Sequence, residues 1–403
     1  MTGLLGILAA LGVLIWLSFR GWSVLVLAPA AALIAAIAAG EPLLAHWTQT
    51  FMGAAAGFIA QFFPLFLLGA LFGKLMDDSG SVTAIARFMT ERLGPQRAIL
   101  AVVLAGALVT YGGVSVFVAV FVIAPMAQAL FRAADIPNRL VPVAVLLGTA
   151  TFTMFALPGT PAIQNAISMP FFGTTPFAAP GLGIIAAAMM LGFGLWWLAR
   201  REAAARRAGE GFGGAHGAPE AAAADLVVRE RATTASTFDP AEMQHGHHSE
   251  ESPGTLVAVL PLVVVVLVNL VMSMALLPLL DTSFLAEERW GKTPLSAVSG
   301  VWSVIVALSS AIAILLLLNR RRLPALRDTF DAGVNASGLL VLSVASLVGF
   351  GAVVAAVPAS AMVRDWVLSL EGGPLVSLAV ATTVLAAMTG SASGGMSIAL
   401  DEG

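Results

Sequence analysis

Apolar residues run through this chain in long blocks, without the strict alternation of a half-buried strand or the one-sided stripe of a soluble surface helix. The blocks fall at about 3–19, 22–39, 51–76, 98–131, 140–177 and 178–198, then at 254–280, 298–318, 333–357 and 374–400. Most are long enough, as helices rising 1.5 Å per residue, to cross a hydrocarbon core of about 30 Å. Residues 199–253 separate the two groups and are rich in Ala, Gly, charge and small polar side chains, which predicts a flexible linker. The pattern predicts an all-α integral membrane protein with two transmembrane halves, 1–198 and 254–403, on either side of that linker.

Composition narrows the function classes. With 59% hydrophobic and 11% charged residues, the chain carries about half the charge of an average soluble protein. A net charge of −3 and the lack of any basic patch interleaved with aromatics exclude a nucleic-acid partner. Zero cysteines exclude disulfides and thiolate metal sites. The first apolar run lacks the basic start of a signal peptide, and its first positive charge, Arg20, follows it, so it reads as a span with the N-terminus outside.

The remaining Lys and Arg set the topology, because positive loops stay on the cytoplasmic side. Only Arg289, Lys292 and Arg364 of the 20 fall outside if the run 98–131 enters and leaves on the same side as a re-entrant hairpin. A full crossing there would carry Arg132, Arg139 and the cluster Arg200, Arg201, Arg206 and Arg207 outward. The charge pattern therefore predicts a hairpin, with the linker inside.

Polar interruptions within the runs point to chemistry. The first is "TYGGVSVF", where Thr110, Tyr111, Gly112, Gly113 and Ser115 break the run 98–131. The second is "FALPGTPAIQNAI", where Pro158 and Pro161 bracket Gly159 and Thr160, with Gln164 and Asn165 beyond, predicting a discontinuous span over 140–177. The third is "TGSASGGMSI", and its Gly394, Gly395 and Ser397 follow Gly112, Gly113 and Ser115 at a constant offset of 282. Each of the two glycine-pair breaks follows a span and a short amphipathic stretch, 81–93 and 359–371, but the first broken run enters from inside and the second from outside. That is the pattern of an inverted-topology repeat, the architecture of many secondary transporters. Non-helical backbone at membrane depth survives only against protein or a water-filled cavity, and a half-helix N-terminus there suits an anion. Close helix packing through small residues is the competing explanation for the glycines. The amphipathic stretches suit opposite interfaces in support of the hairpins, and a homodimer scaffold is also open to them. If the halves are equivalent, the second hairpin's return limb, its discontinuous span and a last span are expected beyond Gly403, so the C-terminal repeat reads as incomplete.

At these motifs the sequence resembles the gluconate permease family, proton-coupled uptake carriers within the ion transporter superfamily. The resemblance rests on "GGVSVFVAVFVIAPMA", "ALPGTPAIQNAI", the basic central loop and "TGSASGGMSIALD". It implies uptake of gluconate, a related sugar acid or 3-hydroxybutyrate across a bacterial inner membrane, with no cofactor. It also implies substrate contacts at the hairpin tips and the discontinuous span: Gly112, Gly113, Ser115, Thr160, Asn165, Ser393, Gly394 and Ser397. From the residues alone, Thr110, Tyr111, Gln164 and Gly395 join that set.

No Arg or Lys lies in these breaks, so a small carboxylate would be held by helix termini and hydroxyls, and a hydroxy acid suits that lining. Asp401 is the nearest acid and the candidate coupling group; sodium held by backbone carbonyls is the alternative to a proton. His216 and the "HGHH" histidines His245, His247 and His248 lie in a low-complexity loop where only adventitious metal binding is expected. His46, beside Trp47, is expected in an outer loop or interfacial segment. An intramembrane enzyme using Ser391 or Ser393 lacks a nearby base, so no catalytic residue is assigned. A passive channel or a non-transporting assembly partner remains the rival to a carrier.

Overall fold

The structure, a computed structural model, describes residues 2–18, 20–114, 116–213 and 252–359, together with 376, 378–383, 396 and 400. Every regular element among them is helical. In chain order they are α1 (Thr2–Ser18), α2 (Val24–Ala39), α3 (Leu43–Asp78), α4 (Ser81–Leu93), α5 (Ala98–Tyr111), α6 (Val116–Ala133), α7 (Val141–Thr149), α8 (Phe152–Phe155), α9 (Ile163–Phe172), α10 (Pro180–Arg207), α11 (Thr255–Leu279), α12 (Leu295–Asn319) and α13 (Leu326–Ala356).

Among the described residues, six stretches are long and apolar enough to cross a membrane: α3, Asn138–Phe155 (which holds α7 and α8), α10, α11, α12 and α13. The α10 span is only 11% buried over its most apolar window. Leu182, Ile184, Ile185, Met189 and Phe193 on it are all exposed. So large a bare apolar face is stable in lipid and not in water. At the end of this helix Arg200 lies 5.1 Å from the Trp196 ring and Arg201 5.0 Å from Trp197, pairing each cation with the aromatic one turn back.

The chain forms two compact units. Of the described residues, those within 1–66 and 335–403 form the first, and those within 67–220 and 245–334 the second. Each draws on both halves of the sequence, so compact units and sequence halves are different partitions of the chain. In the first unit α1 packs on α2, and Ile7, Leu11, Leu14, Ala28, Ala32 and Ala35 bury a core that Leu347, Phe350 and Val353 complete. Small residues let the helices close up: a side chain at Gly6 would collide with Ala38, and one at Gly349 would come within 2.8 Å of the Phe51 carbonyl. In the second unit α5 packs on α7 through Gly106 and Gly148, α11 packs on α12, and α4 lies against α5, α6 and α11. One face of α4 (Val82, Ala84, Ile85, Ala86) is buried, while Arg87 and Glu91 face out.

Three boundaries differ from the sequence expectation. Helix α3 begins at Leu43, and a π-helical turn at His46–Phe51 takes in His46 and Trp47, which the sequence reading put in an outer loop or interfacial segment. His46 Nε2 there lies 3.8 Å from a Glu41 carboxylate oxygen. Helix α10 runs on to Arg207, so the "RREAAARR" start of the expected linker is helix; Ala, Glu and Arg favour it, and Glu202 and Arg206 pair one turn apart at 2.7 Å. Helix α13 starts at Leu326, because its polar first turns continue the helix beyond the apolar block.

Candidate functional site

The first break is a helix stop built from backbone bonds. At the end of α5 the Val114 N–H donates to Val109 O at 3.3 Å and the Gly113 N–H to Thr110 O at 3.0 Å, a Schellman pattern. Gly113 takes φ +98°, which a side chain at that position would strain against. The Gly112 N–H donates to Leu108 O at 3.2 Å, so the amides of both glycines are spent in closing α5. The 14 residues of α5 span about 21 Å, yet the turn Pro95–Arg97 at its start touches α6. Helix α6 therefore folds back along α5 instead of continuing it.

The second break follows α8. Residues 156–162 are irregular, and each of three successive carbonyls at its centre receives a side-chain donor. The Tyr111 hydroxyl donates to Pro158 O at 2.7 Å, Asn269 Nδ2 to Gly159 O at 3.1 Å, and Asn165 Nδ2 to Thr160 O at 3.0 Å. These donors come from α5, α11 and α9. Ser273 donates to Asn269 Oδ1 at 3.4 Å, within the π-helical turn Met272–Leu276. The Gly159 N–H, with φ +85°, donates to Pro176 O at 2.7 Å. Broken backbone inside an apolar helix bundle keeps its polar groups paired, as the low dielectric requires.

The two breaks touch. A side chain at Gly113 would come within 2.9 Å of Pro161 Cγ, with Leu308 and Phe72 beyond, and one at Gly112 would overlap Leu262. Thr160 and Pro161 are buried, and Gln164 and Asn165 are half-buried. Helix α9 starts here without a side-chain cap. The Ile163 and Gln164 N–H groups have no acceptor among the described residues, and neither does the Gln164 amide.

The structure thus brings together Tyr111, Gly112, Gly113, Thr160, Gln164 and Asn165. Thr110 is close in sequence but turned elsewhere: its hydroxyl donates to Gly106 O at 2.9 Å and lies 3.2 Å from Thr153 Oγ1, in buried packing between α5 and α8. Ser115, Ser393, Gly394, Gly395, Ser397 and Asp401 lie outside the described residues, as do His216, His245, His247 and His248. Asn269 was not picked out from sequence, although a lone amide in "VVVVLVNLV" was the signal for it. A groove of about 190 Å³ between α7 and α10, lined by Val143, Leu147, Phe193, Gly194, Trp197 and Leu198, is apolar and offers nothing to a carboxylate.

Exposed apolar helices of spanning length, with two helix breaks that meet, define a multi-pass membrane protein. Residues 2–175 match the GntP family permease model. The chain is 38% identical over 402 residues, 98% of its own length, to an uncharacterized transporter, YxjC, of Bacillus subtilis (strain 168), and covers 81% of that protein. An uncharacterized transporter of Haemophilus influenzae is 33% identical over 105 residues, 26% of this chain and 25% of its own. No solved structure matches. The chain belongs to the GntP permease family, and it is a permease, not an enzyme.

Proposed function

We propose that this permease takes up a small organic hydroxy acid (gluconate, a related sugar acid or 3-hydroxybutyrate) by proton symport across a bacterial inner membrane. The meeting of the Gly112–Gly113 turn with the 156–162 break is the observation that carries this reading. There an uncapped helix start follows the break that the Tyr111 hydroxyl binds, and neither break contains a Lys or Arg. Helix N-terminal N–H groups suit one carboxylate, and amides and hydroxyls suit the substrate's own hydroxyls. In this reading α5 and α6 form a re-entrant hairpin. By the likeness of their motifs, the reading assigns Ser115, Ser393, Gly394, Gly395 and Ser397, which lie outside the described residues, to the substrate as well.

The state of the carbonyls favours a proton over sodium. Pro158, Gly159 and Thr160 would be natural sodium ligands in a broken span, but each already accepts a side-chain hydrogen bond. The test is uptake of labelled gluconate and 3-hydroxybutyrate by membrane vesicles under an imposed pH gradient or sodium gradient. Accumulation driven by the pH gradient alone is expected. Flux of either acid that ignores both gradients would replace the symporter with a passive channel, and no flux with any hydroxy acid would remove the substrate class.

A further inference from the structure

Buried charge gathers at one place that the substrate reading leaves unused. Among the described residues Asp78 is the one charged side chain in the fully buried class, at 0% exposure, on the last turn of α3. Its Oδ1 lies 2.9 Å from Lys74 Nζ, and Asp77 Oδ2 lies 3.9 Å from the same ammonium. From α13 the Thr329 hydroxyl, itself 2% exposed, donates to Asp78 Oδ2 at 2.7 Å. Farther along the two helices, Leu71 and Gly333 hold the backbones close. Lys74 and Asp77 are only 14% and 13% exposed.

Removing a carboxylate and an ammonium from water is costly, and an apolar pair would join two helices as well or better. Ionisable groups kept inside a membrane protein mark ion and proton pathways. We propose that Asp78 is the proton-binding group of this carrier, with Lys74 as a cation shared between Asp78 and Asp77. A proton from the aqueous side bonds to an Asp78 carboxylate oxygen, and the Lys74 ammonium turns to Asp77. The three groups together then pass from one net negative charge to none, which lowers the cost of rearranging in a low dielectric. Release of the proton to the other side restores the Asp78–Lys74 pair.

Among the groups around the carboxylate are Lys74 and Asp77 from its own helix and the Thr329 hydroxyl from α13; Ser79 and Ser81 follow on the chain, their hydroxyls 2.8 Å apart. Arg327, Asp328 and Asp331, which flank Thr329 in sequence, are solvent-exposed, and Arg327 pairs with Asp331 at 3.8 Å.

This proposal rests on the symporter reading, and the experiment separates the two. Infrared difference spectra of the purified full-length chain between neutral and acid buffer need no substrate. The C=O stretch of a buried protonated carboxyl is expected in the wild type and in Glu91→Gln, and is lost in Asp78→Asn. Thr329→Val, which keeps the shape but removes the hydrogen bond to the carboxyl, should move that C=O band to higher frequency. A band that survives Asp78→Asn, or a frequency that Thr329→Val leaves in place, overturns the assignment. In vesicles with gluconate as probe, a gradient of one pH unit supports about tenfold accumulation by one-for-one coupling. Asp78→Asn should bring that ratio down to simple equilibration. Full accumulation by the variant overturns the proposal, whereas wild-type failure with gluconate, beside a normal infrared band, counts against the substrate and leaves Asp78 standing.

Discussion

Single side chains hold the broken backbone in place, so conservative substitutions there should have large effects. Tyr111→Phe keeps the ring and removes the donor to Pro158 O, a part-buried bond whose loss costs about 0.5–1.5 kcal/mol. Asn269→Leu removes the donor to Gly159 O from a wholly buried position, which costs more, about 1–3 kcal/mol. Both should lower the unfolding midpoint of the purified protein and its uptake, and a midpoint unchanged in both variants would show that these bonds carry no weight. Gly113→Ala meets two penalties, a positive φ that costs about 1–2 kcal/mol and a collision with Pro161. It should therefore be worse than Gly112→Ala, whose obstacle is the movable Leu262 side chain. Comparing folded yield by size-exclusion chromatography checks the order. At this scale Tyr111, Gln164 and Asn165 were legible from sequence, because polar groups in an apolar run need a reason to be there. Their partners were not, since Tyr111 and Pro158, or Asn269 and Gly159, meet only through the fold.

At the scale of elements, the end of α10 is tied to the end of the α5–α6 hairpin. Arg139 donates two bonds to Glu210, at 2.6 and 2.7 Å, the Phe212 N–H donates to Asp135 Oδ1 at 2.9 Å, and Arg132 lies 5.0 Å from the Phe212 ring. The hydrogen bonds from Arg139 hold the Glu210 carboxyl below its ordinary range. A carboxyl depressed in the folded state contributes its stability above the unfolded value and loses it as pH falls through the depressed one. Limited proteolysis across 208–213 should accordingly quicken as the pH is lowered into the acid range, and Arg139→Gln should make cleavage fast already at neutral pH. Equal rates for the two proteins at neutral pH would show that the tether is not formed in solution. The helices themselves were largely legible, because a run of apolar residues of spanning length has few other uses. Polar ends were the difficulty: "RREAAARR" reads as linker by charge and as helix by propensity, and the Glu202–Arg206 pair decides for helix.

For the whole molecule, the prediction that discriminates best is the comparison of pH-driven with sodium-driven accumulation, since it tests substrate class and coupling ion together. The sequence by itself determined the membrane class, the helical fold and the first two places where helices break, because hydropathy and the Gly and Pro positions act locally along the chain. It also carried the likeness to the gluconate permeases through motifs that are contiguous in the chain. Only the tertiary structure decided that the first two breaks meet, that the Gly112 and Gly113 amides are spent on a helix stop, and that three carbonyls of the second break are capped from three helices. It alone placed Asp78 in a buried pair with Lys74 beneath Thr329, 251 residues away. In the sequence that carboxylate reads as an ordinary polar helix end; burial and long-range pairing are properties of packing, which no local pattern encodes.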